Sequence, residues 1–218
     1  MTKLNKSLWV CFSIFALAFM FTLYLRPYPL HFLVKSIPIF CLAVFALVNV
    51  EGKKGKLLGL GFLFSASGDI LLELPFKASF GLGLCSFLIA HLFYISVFLR
   101  RLTLTKIRGT AIGSMLLYSA VIATIFTIHL ETMLLIPILV YLTVILFMGI
   151  SASLGKENNP MLTIGACLFM ISDSIIAINS FLSPVFLHSV WVMSTYYLAQ
   201  VLIAIGVTRP LRELNSEI

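Results

Sequence analysis

The chain has 218 residues, 61% of them hydrophobic and only 11% charged, with a formal net charge of +7. A composition this apolar excludes an ordinary water-soluble globule and leaves no separate soluble domain. The basic residues are scattered over short loops rather than gathered on one folded surface, so nucleic-acid binding is not implied.

Eight apolar runs are long enough to cross a bilayer as helices, which takes about 20 residues each. They cover 8 to 25, 31 to 50, 57 to 74, 80 to 99, 110 to 128, 133 to 153, 160 to 180 and 187 to 207. The first follows Lys3 and Lys6 and contains Ala16-Leu17-Ala18, a small-residue pattern like that of a cleaved leader, but it continues apolar to Leu25 and is read as a spanning helix. Turn-forming stretches separate the runs: Arg-Pro-Tyr-Pro at 26–29, Glu-Gly-Lys-Lys-Gly-Lys at 51–56, Leu-Pro-Phe-Lys at 74–77, Lys-Glu-Asn-Asn-Pro at 156–160 and Ser183-Pro184. The predicted fold is all-α, a polytopic bundle of eight transmembrane helices forming a single domain over 1–218.

Orientation follows from Lys and Arg, which favour cytoplasmic loops. An inside N-terminus places Lys3, Lys6, Lys53, Lys54, Lys56, Arg100, Arg101, Lys106, Arg108, Lys156, Arg209 and Arg212 inside, against only Arg26, Lys35 and Lys77 outside. Both termini are therefore expected in the cytoplasm. Cys11, Cys41, Cys85 and Cys167 all fall within apolar runs with no metal-ligand spacing, and read as small buried hydrophobes.

Two aspartates interrupt this apolar pattern, Asp69 in the third run and Asp173 in the seventh. A carboxylate near mid-helix costs about 2.5 to 3.5 kcal/mol on insertion scales, so its presence points to a functional site. Shifting the chain by 104 residues lays Gly61 on Gly165 and Asp69 on Asp173, with the first four runs over the last four. Identity is sparse: three of seventeen positions match over 57–73. The halves, about 1–104 and 105–218, are expected to be parallel repeats related by an axis along the membrane normal. Both aspartates would then share a depth, roughly 18 to 20 Å from the cytoplasmic end at 1.5 Å per residue, and could face a common cavity. The alternative is that each hydrogen-bonds a neighbouring helix as packing glue.

Further polar groups surround both positions. Ser65, Asp69 and Glu73 share one helical face at i, i+4, i+8, and Gly68 is expected to let another backbone approach. His91 and Tyr94 are spaced i, i+3 in the fourth run, Tyr197 and Gln200 repeat that spacing in the eighth, and Ser172 and Asn179 flank Asp173. The nucleophile elbow, the His-Glu-x-x-His zinc motif, the phosphate loop and the dinucleotide fingerprint do not occur. Carboxylate chemistry remains, with neither metal nor cofactor called for.

In type and order these residues resemble the YhhN family of eight-helix membrane proteins, which includes the lysoplasmalogenases. The resemblance rests on Lys35-Ser-Ile-Pro38, Ser67-Gly68-Asp69 with Leu71 and Leu72, His91-Leu-Phe-Tyr94, Ser172-Asp173 with Asn179 and Phe181, and Tyr196-Tyr197-Leu-Ala-Gln200, and covers nearly the whole chain. It implies hydrolysis of the vinyl ether of a lysoplasmalogen to a fatty aldehyde and glycerophosphoethanolamine or glycerophosphocholine. Asp69 and Asp173 would be catalytic, one as acid and one as base, as carboxyl pairs act in glycosidases. His91, Tyr94, Tyr197 and Gln200 would line the site; Ser65, Glu73, Ser172 and Asn179 are further candidate contacts. The lining would be asymmetric, because the 104-residue shift puts His91 on Thr195 and Tyr94 on Leu198. Lys35, Lys77 and Arg26 are the cations available to the headgroup phosphate near the outer surface; Lys35 is the favoured contact, the alternative being a lysine that snorkels to the interface. The implied partners are a lysophospholipid substrate and membrane lipid, with residence in the inner (plasma) membrane if the source is bacterial.

Two rivals stand beside this reading. A proton-coupled transporter would also use duplicated halves and intramembrane carboxylates, although Pro38 and Pro137 fall at different places in the second and sixth runs. Ser67-Gly68-Asp69 is loosely similar to the Gly-x-Gly-Asp motif of intramembrane aspartyl proteases, with Ala66 where the first glycine would stand.

Overall fold

A computed structural model describes residues 2–99 and 101–209; Arg100 and Arg212, counted above among the cytoplasmic cations, lie outside the described residues. Among the described residues the chain forms eight helices: α1 (Lys3–Phe21), α2 (His31–Asn49), α3 (Gly52–Glu73), α4 (Ser79–Phe98), α5 (Lys106–His129), α6 (Thr132–Leu154), α7 (Pro160–Phe181) and α8 (His188–Thr208). All eight are long and apolar enough to span a membrane, and the protein is a multi-pass integral membrane protein.

Helix ends depart from the apolar runs where local chemistry outweighs hydropathy. Helix α1 stops at Phe21, because Thr22 turns its hydroxyl back onto the carbonyls of Ala18 and Phe19 and the chain tightens into a 3-10 turn, Leu23–Leu25, before Pro27. Helix α3 begins five residues before its apolar run, at Gly52, so Lys53, Lys54 and Lys56 are helical. Hydropathy marks only the bilayer part of a helix, and a charged turn beyond it is silent. Asp69 consequently lies one turn before the last residue of α3, Glu73, while Asp173 lies two turns before the last residue of α7, Phe181. Helix α7 starts as its sequence suggests: the side chain of Asn159 accepts from the amide of Met161 at 2.9 Å, with Pro160 at the first helical position.

The packing resolves into two compact units that divide between Val97 and Phe98. In the first, α2 packs against α1 and α3, and α4 lies on α3 through glycines. A Cβ added at Gly61 would meet the Tyr94 ring at 2.5 Å, and one added at Gly68 would meet the Phe87 ring at 2.6 Å. Both pairs are seven residues apart, two turns along one face, and their opposite order makes the helices antiparallel. Gly68 thus admits an aromatic ring rather than the backbone expected from sequence.

In the second unit α7 and α8 share the most extensive contact, and α6 packs against both α5 and α7. Here a glycine does admit a backbone: a Cβ at Gly165 would lie 3.0 Å from the carbonyl oxygen of Ala199 in α8. The turn between α6 and α7 is stitched to the first turn of α5 and to the residues preceding it. Arg108 donates to the carbonyls of Gly155, Lys156 and Asn158 at 2.6, 3.3 and 3.4 Å. Asn158 donates to those of Phe98, Ser151 and Ala152 at 3.1 to 3.2 Å, and the amide of Lys156 donates to Arg101 at 2.7 Å. All four cysteines are free thiols, and Cys85, expected to be buried, is exposed on the surface of α4.

Candidate active site

The polar face of α3 is buried as its spacing requires, with Ser65 fully buried and Asp69 only 2% exposed. Helix α2, packed alongside, supplies the compensating charge. Lys35 sits one turn into α2 and brings its Nζ to 2.8 Å from Glu73 Oε1 and 3.7 Å from Asp69 Oδ1. Its side chain is buried and turned to the two carboxylates. Burial of one uncompensated ion costs several kcal/mol, and this shared ammonium offsets it for both acids.

Two further residues converge on Glu73: Arg26, one of the cations available to a headgroup, and His31, which the sequence did not single out. Arg26, in the connection between α1 and α2, donates to Glu73 Oε1 and Oε2 at 3.1 and 3.4 Å, while its guanidinium lies 5.4 Å from the centre of the Phe19 ring. His31, the first residue of α2, places Nε2 3.1 Å from Glu73 Oε2 and Nδ1 2.7 Å from the carbonyl oxygen of Tyr28. Both ring nitrogens face acceptors, and the tautomer decides which of them donates. Leu30, just before it, adopts φ 62°, a left-handed conformation that costs a residue with a side chain about 1 kcal/mol. One signal could have pointed here: His31 and Lys35 are spaced i, i+4, on the same face.

Deeper in this unit Tyr94, fully buried, hydrogen-bonds Ser65 at 3.2 Å between hydroxyl oxygens. His91 lies on the same helix one turn away and is also fully buried. The first unit therefore brings together Lys35, Asp69 and Glu73, and joins Ser65 to Tyr94.

In the second unit Asp173 is half-buried on α7 and accepts a 2.5 Å hydrogen bond at Oδ2 from the Tyr141 hydroxyl of α6. Tyr141 was not apparent from sequence, since a single tyrosine in an apolar run carries no pattern. Ser172 and Asn179 turn elsewhere: Ser172 donates to the carbonyl of Val192 in α8 at 3.1 Å, and Asn179 accepts from the amide of Val185 at 3.0 Å, closing the turn after α7. Tyr197 and Gln200 are buried on α8. Among the described residues, no three His, Cys, Asp or Glu side chains group as metal ligands. The chemistry on hand is that of carboxyl groups set beside donors, suited to moving protons and to stabilising a developing positive charge.

The YhhN family model matches residues 30–207. The chain belongs to the YhhN family. The chain is 33% identical over 191 residues to lysoplasmalogenase TMEM86A of Homo sapiens, an alignment covering 80% of this chain and 76% of the relative. It is 31% identical over 213 residues to lysoplasmalogenase TMEM86B of Mus musculus, covering 92% and 87% respectively. Over 170 residues it is 32% identical to the lysoplasmalogenase of Mycobacterium bovis, covering 76% of this chain and 65% of that one. No solved structure matches this YhhN protein at a significant level.

Proposed function

We propose that this YhhN protein is a lysoplasmalogenase-like hydrolase. It cleaves the vinyl ether of alkenyl glycerophosphoethanolamine or glycerophosphocholine and releases a fatty aldehyde and the glycerophospho-headgroup. The observation that carries this reading is a carboxyl, Asp69, buried one turn inside a spanning helix of a chain 33% identical to a protein named lysoplasmalogenase.

Vinyl ether hydrolysis begins with a proton delivered to the β-carbon, which turns the ether into an oxocarbenium ion. Water adds to the cationic carbon and loses a proton, and the resulting hemiacetal collapses to aldehyde and alcohol. The net change is one water consumed and one C–O bond broken. Such a sequence needs a protonated carboxyl to give the first proton and an ionised one to stabilise the cation and take a proton from water. Asp69 and Asp173 fill these two roles. Lys35 contacts the headgroup, while Ser65, Glu73, His91, Tyr94, Tyr197 and Gln200 contribute to the substrate's surroundings; Ser172 and Asn179, bonded to the backbone at Val192 and Val185, brace α7 instead. In a bacterial source the protein works in the inner membrane.

The decisive test supplies purified protein in detergent with an alkenyl lysolipid and with an ester lysolipid of the same tail. Aldehyde from the first, and no fatty acid from the second, is the expected result. Fatty acid release, or intact alkenyl lipid, would overturn the assignment.

A further inference from the structure

We infer that Arg26, His31 and Lys35 form the subsite for the phosphate of the lipid headgroup, and that Glu73 occupies this subsite in the substrate-free protein. The inference rests on the hydrolase reading above and deepens its Lys35 headgroup contact, adding Arg26 and His31 and giving Glu73 a definite role.

Three donors from two chain segments meet on one carboxylate: Arg26 at 3.1 Å, His31 at 3.1 Å and Lys35 at 2.8 Å. Lys35 also lies 3.7 Å from Asp69 Oδ1. The guanidinium and the ammonium carry donors only and the His31 ring adds an N–H, a set that suits the several oxygens of a phosphate. Its position suits a lipid phosphate. Arg26 precedes α2, His31 begins it and Glu73 ends α3, so the set lies at one end of two adjacent spanning helices. Arg26 and Glu73 keep side-chain exposures of 22% and 16%, while Lys35 and Asp69 below them are buried.

Distance along the substrate fits as well. In a lysoplasmalogen the phosphorus and the vinyl β-carbon are separated by about seven bonds, roughly 8 Å at bond lengths near 1.5 Å. Asp69 lies one turn deeper than Glu73 on the same face, about 6 Å along the helix. A phosphate in the place of the Glu73 carboxylate therefore puts the reacting bond at the level of Asp69. Glu73 would be displaced when the phosphate enters, releasing its three donors to the ligand.

Binding to a non-cleavable ligand tests this independently of turnover. The probes are a saturated alkyl-ether glycerophosphoethanolamine, the corresponding alkylglycerol without phosphate, and inorganic phosphate, each titrated against purified full-length protein in detergent. Arg26→Ala and His31→Ala should each weaken the phospholipid by roughly tenfold, the loss expected for a hydrogen bond to a charged group, and leave the alkylglycerol unchanged. Glu73→Gln should tighten the phospholipid alone, because the internal competitor is gone. Should Glu73→Gln fail to fold, Arg26→Lys decides: it should retain part of the phospholipid preference that Arg26→Ala loses. Parallel losses for both lipids, or weaker phospholipid binding in Glu73→Gln, would reduce the cluster to a clamp between helices and overturn the inference. Equal affinity for inorganic phosphate would overturn the lipid assignment. A wild-type protein that binds the phospholipid selectively but releases no aldehyde would sink the hydrolase reading and leave the subsite standing.

Discussion

At the scale of single residues, the two aspartates were legible because hydropathy makes an ionisable group in a spanning helix conspicuous. Asp69→Asn and Asp173→Asn should each lower aldehyde release by at least about 100-fold, the range of general acid–base contributions, while the protein elutes as a folded species in detergent. An aldehyde assay on either variant that retains most of the wild-type rate would refute the two-carboxyl mechanism. The partners of these acids were harder to see. Arg26 lies outside the apolar runs among turn residues, where its charge reads as topology, and its ion pair with Glu73 joins positions 47 residues apart. Tyr141 shows nothing in sequence of its bond to Asp173. Tyr141→Phe removes that donor and should lower kcat about tenfold with little change in KM; a variant altered only in KM would make Tyr141 a substrate contact instead.

At the scale of helices, eight apolar runs translated into eight helices because length and hydropathy suffice to specify a spanning segment. The ends did not follow, since they are set by side-chain caps such as Asn159 and by charged turns such as 52–56 that hydropathy ignores. Lateral packing was only partly legible: glycine announces a close approach without saying what approaches. At Gly68 the answer is the Phe87 ring, and at Gly61 it is Tyr94, which carries the hydroxyl bonded to Ser65. Gly61→Leu and Gly68→Leu should therefore each destabilise the first unit by about 1 to 3 kcal/mol through overpacking, read as a lower thermal midpoint in detergent. Leucine at Gly113, where an added Cβ meets nothing within 4 Å, is the control and should leave the midpoint in place.

At the scale of the whole molecule, the bias of Lys and Arg predicts both termini in the cytoplasm. Reporters fused to either end should be active only in a cytoplasmic form, such as a fluorescent protein that matures there; alkaline phosphatase activity at either end would reverse the topology. Catalysis should persist after exhaustive chelation, because the site's chemistry is assigned to carboxyl groups and the described residues hold no group of three metal-ligating side chains. Activity lost with a chelator and regained with a divalent ion would refute this. The proposed repeat of the two halves rests on a faint trace in sequence, three identities in seventeen positions over 57–73.

The turn at 155–159 has a practical consequence. Its carbonyls are engaged by Arg108, and its Asn158 side chain binds three others, so little of its backbone is open to an incoming chain. A protease must draw several residues of extended backbone into its cleft, and an epitope insertion must part the ends of the turn. This connection should resist both, whereas the exposed stretch 75–78 between α3 and α4 should be nicked first and should accept a tag.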